Sequence, residues 1–237
     1  MAERITLTRN FNTEWLNAAA RFRLMGLSRE EAHAALDELI AQRISSKDNI
    51  RKIRTIMLQL WFDNEDWFQN AAIQCCRDLP EPQWLPVQWS LILLRYPVFF
   101  DLASTLGTMF DYKDTVLVAQ VREHIFEKWG ARATLLHSLS KNIQTLRDMN
   151  VLTPAGRTGE YGYAKHDVSD TKAAAILLAA TMACSKQTHI AWNALIQHPA
   201  IFPFNIIHVS QGDIAACEMI LLEKMGDGIV LRLADAN

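Results

Sequence analysis

The sequence lacks the short motifs that mark several large enzyme classes. It contains no GxxxxGK(S/T) phosphate-binding loop, no GxSxG nucleophile motif, no HExxH zinc motif and no GxGxxG dinucleotide motif. Ser138 and Lys141 fit SxxK, but a match with two fixed positions is common by chance. The three histidines and one cysteine between residues 189 and 217 lie nine or ten positions apart, unlike the ligands of a compact metal site. We therefore expect a non-catalytic protein that needs no cofactor or metal.

The chain is also poor in cysteine and in long apolar runs. Its four cysteines form no CxxC pair and no regular framework, which indicates small buried side chains in a reducing compartment rather than disulfides. The first ten residues carry Glu3, Arg4 and Arg9 without an apolar core, so no signal peptide is expected. The very apolar stretch from Ala173 to Ser185 is shorter than the ~20 residues that span a bilayer. We therefore expect a cytoplasmic protein without a membrane segment.

Charge of either sign is modest overall but uneven along the chain. The formal net charge is −2 for 237 residues, well short of the basic balance of many nucleic-acid binders. Residues 1–60 and 115–165 each carry a net charge of +3, whereas residues 61–114 carry −5 and residues 166–237 carry −3. Such alternation allows a local basic surface on a nearly neutral protein.

Half of the residues are apolar, and their spacing predicts helices through most of the chain. Thr13 is placed to cap a first helix, and Ser28 and Glu31 form a capping box for a second. A further helix is expected from Asn64 to Arg77. The segment from Leu79 to Pro86 then holds three of the seven prolines, so the chain must break there.

The densest basic patch lies between residues 43 and 54, mostly on a helix predicted from Ser46 to Trp61. Five basic residues fall in these twelve positions against one aspartate, and Lys47, Arg51 and Arg54 share one helix face. One interpretation is contact with nucleic-acid phosphates, from which lysine and arginine displace counterions. The alternative is a solvated face that pairs with acidic segments. The patch lies on the second helix of a helix-turn-helix-like pair, which favours phosphate contact.

The stretch from Ala131 to Lys165 predicts a helix followed by a hairpin. Apolar residues recur on one face of the helix, with Ser138 and Thr145 on the opposite face. Three of the nine glycines lie between residues 156 and 162, where Thr158-Gly159 can make a tight reversal. A helix and a short hairpin with Arg157 near its tip outline a winged helix, whose helix approaches a DNA groove while the hairpin touches the backbone. A surface helix followed by an ordinary hairpin is the open alternative.

The remaining elements are predicted from caps, breaks and alternation. We expect the segment from Val87 to Tyr96 to be a helix buried on all sides, and Asp114 to cap a helix that ends at Gly130. Downstream we expect helices over residues 173–183, 188–197 and 210–225, and short strands over residues 204–209 and 229–233. The sequence leaves open whether the last strand forms a second wing.

Together these elements predict a mainly α protein, a helical bundle with helix-turn-helix-like or winged-helix-like units and one or two short β-hairpins. The proline-rich break divides it into an N-terminal helical domain over residues 1–78, which carries the basic pair, and a C-terminal mainly helical domain over residues 79–237. Within the second domain we place a winged-helix-like unit over residues 114–166 and a helical unit over residues 167–237.

The order of these segments resembles a known family. The sequence Gly26-Leu27-Ser28-Arg29-Glu30-Glu31 leads to the basic helix from Ser46 to Trp61, then to Leu91-Ile92-Leu93-Leu94-Arg95-Tyr96-Pro97 and to the long helix of residues 131–152. This pattern is similar to the BrxA family of BREX bacteriophage-exclusion systems from about residue 16 to residue 233. The resemblance rests on segment order rather than on a catalytic motif.

The resemblance implies a mainly helical, non-catalytic protein of bacterial antiviral defence that confers phage resistance. It implies DNA binding, and BREX partners that include a methyltransferase, an ATPase and a phosphatase-like protein. The family has been likened in fold to the NusB-type RNA-binding antitermination protein, a comparison that disagrees with the winged-helix interpretation. The family provides no catalytic residues to carry over.

Our leading hypothesis is a DNA-binding accessory protein that contacts double-stranded DNA mainly through phosphates. One alternative is a protein–protein scaffold in which acidic residues 61–114 and apolar helices dock partner subunits, and another is NusB-like RNA binding. Among the predicted contact residues, only Asn142 is suited to reading a base edge. The predicted nucleic-acid-binding residues are Arg43, Lys47, Arg51, Lys52, Arg54, Arg132, Lys141, Asn142, Arg147, Arg157 and Lys165.

Overall fold

The computed structural model describes residues 6–63, 66–226 and 228–234, which are mainly helical with a few short strands, as predicted. The helices of this part of the chain are α1 (Thr13–Leu24), α2 (Arg29–Ala41), α3 (Lys47–Trp61), α4 (Trp67–Asp78), α5 (Leu85–Arg95), α6 (Pro97–Phe110), α7 (Val118–Trp129), α8 (Ala133–Asp148), α9 (Thr171–Ser185), α10 (Trp192–Ile196) and α11 (Gln211–Ala215). Short 3-10 turns cover Glu81–Gln83 and Pro199–Ile201. Among the described helices, none has the length and apolar character needed to cross a membrane.

The strands of the described residues form three small sheets. They are β1 (Val116–Leu117), β2 (Leu152–Pro154), β3 (Glu160–Tyr163), β4 (His166–Val168), β5 (His189–Ala191), β6 (Phe204–Ile206), β7 (Ile220–Met225) and β8 (Gly228–Leu233). The first sheet has the antiparallel order β1-β3-β2, and the third has the antiparallel order β5-β8-β7. Strands β4 and β6 pair in parallel. In both three-stranded sheets, the strand that comes last in the chain lies in the middle.

The core is built around two strongly apolar helices, α5 and α9, which pack against each other. Every residue of α9 from Ala173 to Met182 is buried, and α5 is buried from Pro86 to Leu93, as its strongly apolar sequence predicts. One hydrophobic cluster extends from Leu7 to Leu231. The division into domains at residue 79 stays a prediction.

Several helix starts follow the predicted capping chemistry. Ser28 accepts a hydrogen bond from the backbone N–H of Glu31, whose carboxylate accepts one from Ser28 in return, so the predicted capping box is confirmed. Asn12, rather than Thr13, caps α1. Asp66 caps α4, while the predicted start at Asn64 lies outside the described residues, as do Glu3 and Arg4.

Three predicted helices are wrong in their bounds because strands take part of their sequence. The helix predicted over residues 210–225 ends at Ala215, because Glu218 adopts a positive φ of 60° and β7 pairs with β8 along its whole length. The helix predicted from Asp114 begins at Val118, since β1 pairs with β3. The first residues of the segment 188–197 form β5, which pairs with β8 before α10 begins. Strands β1 and β5 depend on partners distant in sequence, whereas β7 forms a hairpin with the strand that follows it.

Gly107 allows α6 to lie directly against the 3-10 turn at Pro199. A Cβ atom at Gly107 would lie 2.1 Å from the Pro199 carbonyl oxygen, which is backbone and cannot rotate away. We predict that Gly107→Ala lowers the free energy of unfolding by about 1–3 kcal/mol, the usual cost of overpacking. Urea denaturation of the two proteins measures this difference.

Gly212→Ala is the matched control, because the nearest atom to its added Cβ would be 3.8 Å away. Alanine is favoured over glycine in a helix by roughly 0.5–1 kcal/mol, so this variant should not be destabilised. Equal unfolding free energies for the two variants would contradict the close approach at Gly107.

Candidate nucleic-acid interface

Two of the five basic residues predicted on and beside α3 are held in ion pairs with neighbouring helices. Arg54 pairs with Asp37 of α2, and its side chain is only 14% exposed. Arg43 pairs with Glu14 of α1 at 2.6 Å. Both charges are offset by carboxylates, so Arg43 and Arg54 add little positive charge to this surface, and their contact with a nucleic acid stays a prediction.

The other basic side chains of α3 keep an excess of positive charge. Arg51 and Lys52 bond the Asp48 carboxylate at 2.7 Å and 2.5 Å, and Arg9 reaches it at 3.5 Å. Hydrogen bonds from Lys52 and then Arg51 lower the pKa of Asp48 to about 2. One carboxylate therefore faces three cations, and Lys47 lies exposed at the start of the same helix.

The segment Thr6–Phe11 lies between α3 and α8 and connects them. The Arg9 guanidinium donates to the Asn49 side chain at 2.7 Å on the α3 side. On the α8 side, the Ser138 hydroxyl donates to the Leu7 carbonyl at 2.6 Å, and the Phe11 N–H donates to the Thr145 hydroxyl at 3.3 Å. The segment therefore covers the polar face of α8 that the sequence predicts to be outward.

Asn142 is the clearest correction to the predicted site. Its side chain is fully buried (0% exposed), and its amide nitrogen donates to the Ser138 carbonyl at 2.7 Å and weakly to Thr6 at 3.4 Å. The residue lies under the N-terminal segment, where no base edge can reach it. The periodicity of α8 identifies a polar face but not the chain segment that covers that face.

A single cleft between α3, the segment Thr6–Phe11 and the start of α8 brings together Arg51, Lys52 and Arg132. This basic cleft has a volume of about 730 Å³. Its lining residues are Thr6, Thr8, Arg9, Arg51, Lys52, Thr55, Trp129, Arg132, Ala133, Thr134, Leu135, His137 and Ser138. None of these lining residues is an aspartate or a glutamate, so the cleft is positive.

A smaller depression of about 220 Å³ continues the basic cleft along α8. Lys141 lines it with Asn49 and Ile53, and Arg9 and His137 line both cavities. Arg51 and Lys52 of α3 therefore form one band with Arg9 and with the basic residues from Arg132 to Lys141. The sequence analysis missed Arg9 and His137. His137 could have been found, since it lies four residues before Lys141 on the same helix face, whereas nothing in the sequence places Arg9.

The remaining predicted residues lie outside this band. Arg147 is placed over the Tyr161 ring at 5.7 Å, near the end of α8. Arg157 lies in the turn of the β2–β3 hairpin, 71% exposed and 3.6 Å from the Glu160 carboxylate. Lys165 lines a separate cavity of about 580 Å³ beside α6 and the 3-10 turn at Pro199, so the structure does not bring it to the cleft.

The titratable groups give little indication of another site. Within the described residues, no group of three histidine, cysteine or acidic side chains could hold a metal ion. Burial raises the pKa of Cys75 and of Cys184 to about 12, and it also raises the pKa of Cys76, so these thiols are protonated at neutral pH. Burial lowers the pKa of His198, which favours the neutral ring.

We predict that the Asp48 carboxylate titrates near pH 2 in the folded protein. Because its pKa is lowered from 3.8 on folding, the stabilisation is present above that value and is lost as the pH falls toward 2. The side-chain carboxyl resonance of Asp48, followed by NMR against pH, measures the midpoint. Lys52→Gln should move it upward, whereas Lys47→Gln, on the same helix, should not. Equal midpoints in the two variants would contradict the Lys52 assignment.

Similarity to other proteins adds no functional residue to this site. Comparisons with protein-family models, with curated proteins and with solved structures found no match. The function proposed below therefore rests on three observations. They are the band of basic side chains, the order of the surrounding elements and the resemblance of the sequence segments to a known family.

Proposed function

We propose that this protein is a non-catalytic accessory of a BREX-type bacterial defence system that binds double-stranded DNA mainly through its phosphates. The observation that carries the proposal is the basic cleft, where Arg51, Lys52 and Arg132 from two distant helices meet with Arg9 and no lining carboxylate. Clustered lysine and arginine side chains bind nucleic acid by displacing condensed counterions.

The order of elements around α8 supports this proposal. Residues 97–163 run α6, β1, α7, α8, β2 and β3, with β3 between β1 and β2. We interpret this unit as a winged helix, with α8 as its third helix and the β2–β3 hairpin as its wing. In DNA-binding proteins of the helix-turn-helix class, such a helix enters a groove. The basic cleft would then lie at the start of α8, and Arg157 at the wing.

Phosphate contact fits the exposed surface better than base reading does. The outward face of α8 presents Leu136, Ser140 and Arg147, but the Arg147 guanidinium is placed over the Tyr161 ring and Asn142 is buried. Base-specific contact in the major groove needs bidentate donors such as free asparagine, glutamine or arginine side chains aligned along the groove. Binding is therefore proposed to depend little on sequence, and RNA competition is part of the test below.

Neutralising two cations of the cleft should weaken DNA binding and its salt dependence. We predict that the Arg51→Gln, Arg132→Gln double variant binds duplex DNA at least about tenfold more weakly at low salt, because each arginine removed loses about one phosphate contact. The slope of log affinity against log salt should fall by roughly 2, since each contact contributes about 0.9. Fluorescence anisotropy with labelled duplex at several salt concentrations measures both.

Arg77→Gln is the matched control, because Arg77 is exposed on α4 and, among the described residues, its side chain bonds only the neutral side chain of Gln74. Asp48→Asn is the opposing control and should tighten binding by freeing three cations from one carboxylate. Structured RNA should compete less well than duplex DNA. Binding that is insensitive to salt and to the double variant would refute the proposal, and stronger competition by RNA would favour the NusB-like alternative.

A second candidate function, protein interaction, is favoured by the C-terminal unit. Its elements α9, β5, α10, α11, β7 and β8 follow the same order, with a 3-10 turn and β6 inserted between α10 and α11 and with β8 between β5 and β7. We interpret it as a second winged-helix unit. Its short third helix carries Asp213 and no basic residue, and its hairpin exposes Leu221, Leu222, Met225 and Ile229. An apolar hairpin of this kind fits a protein partner better than DNA.

We predict that Met225→Ser together with Ile229→Ser abolishes co-purification with neighbouring BREX proteins and leaves DNA affinity unchanged. The two side chains are 58% and 56% exposed, so the fold should tolerate the change. Affinity purification after nuclease treatment measures the association. Tyr112→Ser, at an exposed apolar residue outside this unit, is the control. Partner recovery that is unchanged in the double variant would rule out the hairpin.

A further inference from the structure

We propose that the basic cleft is a nucleotide-binding site, with a phosphate held by its cations and a base held against its apolar wall. The nucleotide unit has two sources, a free nucleotide or the terminal nucleotide of a nucleic-acid strand. The inference rests on the proposed function in one respect, since the cleft belongs to the surface proposed to bind DNA. The inference goes further than DNA binding, because contact with the phosphate backbone of a duplex does not require a pocket.

The size and lining of the cleft favour a compact ligand that is charged at one end. Its volume of about 730 Å³ lies within the ~300–1,000 Å³ of small-molecule sites. Four cationic side chains lie on its lining, from Arg9, Arg51, Lys52 and Arg132, together with four threonines, of which Thr55 already donates its hydroxyl hydrogen to the Arg51 carbonyl. Arginine forks and hydroxyl donors are the groups that bind phosphate oxygens in proteins.

The cationic side chains of the cleft are held in place by ion pairs and hydrogen bonds. Asp48 holds Arg51 and Lys52 from outside the cleft lining, and the Arg9 guanidinium is anchored on Asn49 at 2.7 Å. Arg132 bonds the Trp129 carbonyl at 3.0 Å through one guanidinium nitrogen. Asp48 therefore fixes two side chains without cancelling the charge of the group, and an anion in the cleft would meet a positive excess.

The start of α8 adds donors to the same wall. Ala133, Thr134 and Leu135 are the first three residues of this sixteen-residue helix, and its N-cap residue Arg132 provides no side-chain cap. The N–H groups of a first turn have no acceptor within their own helix, and the helix dipole favours an anion there. These donors supplement the cation cluster, which carries the inference.

The apolar wall is the feature that distinguishes a nucleotide from a bare phosphate. Trp129 and Leu135 line the cleft, and the indole N–H of Trp129 donates to the buried Asp101 carboxylate at 2.7 Å. That bond fixes the ring orientation before a ligand arrives. Aromatic side chains stack with any base, so the site would accept nucleotides with little preference among bases.

Isothermal titration calorimetry of the full chain tests the inference with three probes: deoxythymidine monophosphate, thymidine and inorganic phosphate. The monophosphate should bind at least about tenfold more tightly than either probe alone, because it uses both walls. Arg132→Gln and Lys52→Gln should each weaken it at least about fivefold, whereas Arg77→Gln should not. Thermal melting of each variant by circular dichroism establishes that it is folded.

A second arm separates the sources of the nucleotide and the two proposals. Competition by a duplex carrying 5′-phosphates, but not by the same duplex with 5′-hydroxyl ends, would identify a strand end as the ligand. If neither duplex competes with the monophosphate, the ligand is a free nucleotide. Duplex binding without monophosphate binding, or a monophosphate no tighter than inorganic phosphate, would overturn the inference and leave the proposed function intact. Monophosphate binding without duplex binding would support the inference and overturn the proposed function.

Discussion

The hydrogen bonds between the segment Thr6–Phe11 and the polar face of α8 determine where the charged surface forms. Ser138, Asn142 and Thr145 are buried on that face, and buried polar groups must find partners. The backbone of Leu7 and Phe11 supplies partners for Ser138 and Thr145, while the side chains of Leu7 and Phe11 are fully buried in the core. Because Arg9 lies between these two anchors, the same segment brings a cation to α3.

Charge arrangement, rather than net charge, gives this surface its sign. Five of the predicted cations are partly neutralised: Arg43, Arg54 and Arg157 each pair with a different carboxylate, and Arg51 and Lys52 share one. Exposed ion pairs of this kind contribute little to stability, on the order of 0–1 kcal/mol. Their larger effect is to determine which cations are not matched by a carboxylate. An excess of positive charge remains near Asp48, because this one carboxylate has three cationic partners.

Local signals were sufficient to predict much of the helical architecture. The capping box at Ser28, the basic helix after Ser46 and the hairpin around Gly159 depend on residues close in sequence, and the structure contains all three. The burial of Asn142 depends on the segment Thr6–Phe11, which lies far away in the chain, whereas the strand from Ile220 to Met225 pairs with the adjacent strand β8. Helical periodicity identifies neither a covering segment nor a hairpin partner, so the helix predicted over residues 210–225 and the base-reading role of Asn142 are wrong.

The same limit applies to the candidate site. The sequence predicts basic patches on α3 and α8, but not that Arg51 and Arg132 share one cleft or that Lys165 lies away from it. Their convergence depends on how the N-terminal segment packs, and no local pattern encodes that packing. Which basic residues belong together is therefore a property of tertiary structure.

The mutual packing of α5 and α9 has a consequence for dissecting the molecule. Each of these helices is apolar on nearly every side and covers the other, although about eighty residues separate them in the chain. A fragment that ends before Thr171 would leave one side of α5 bare, and a fragment that begins after Arg95 would do the same to α9. Such truncations would self-associate, so the activities of the two halves are best separated by point substitutions within the intact chain.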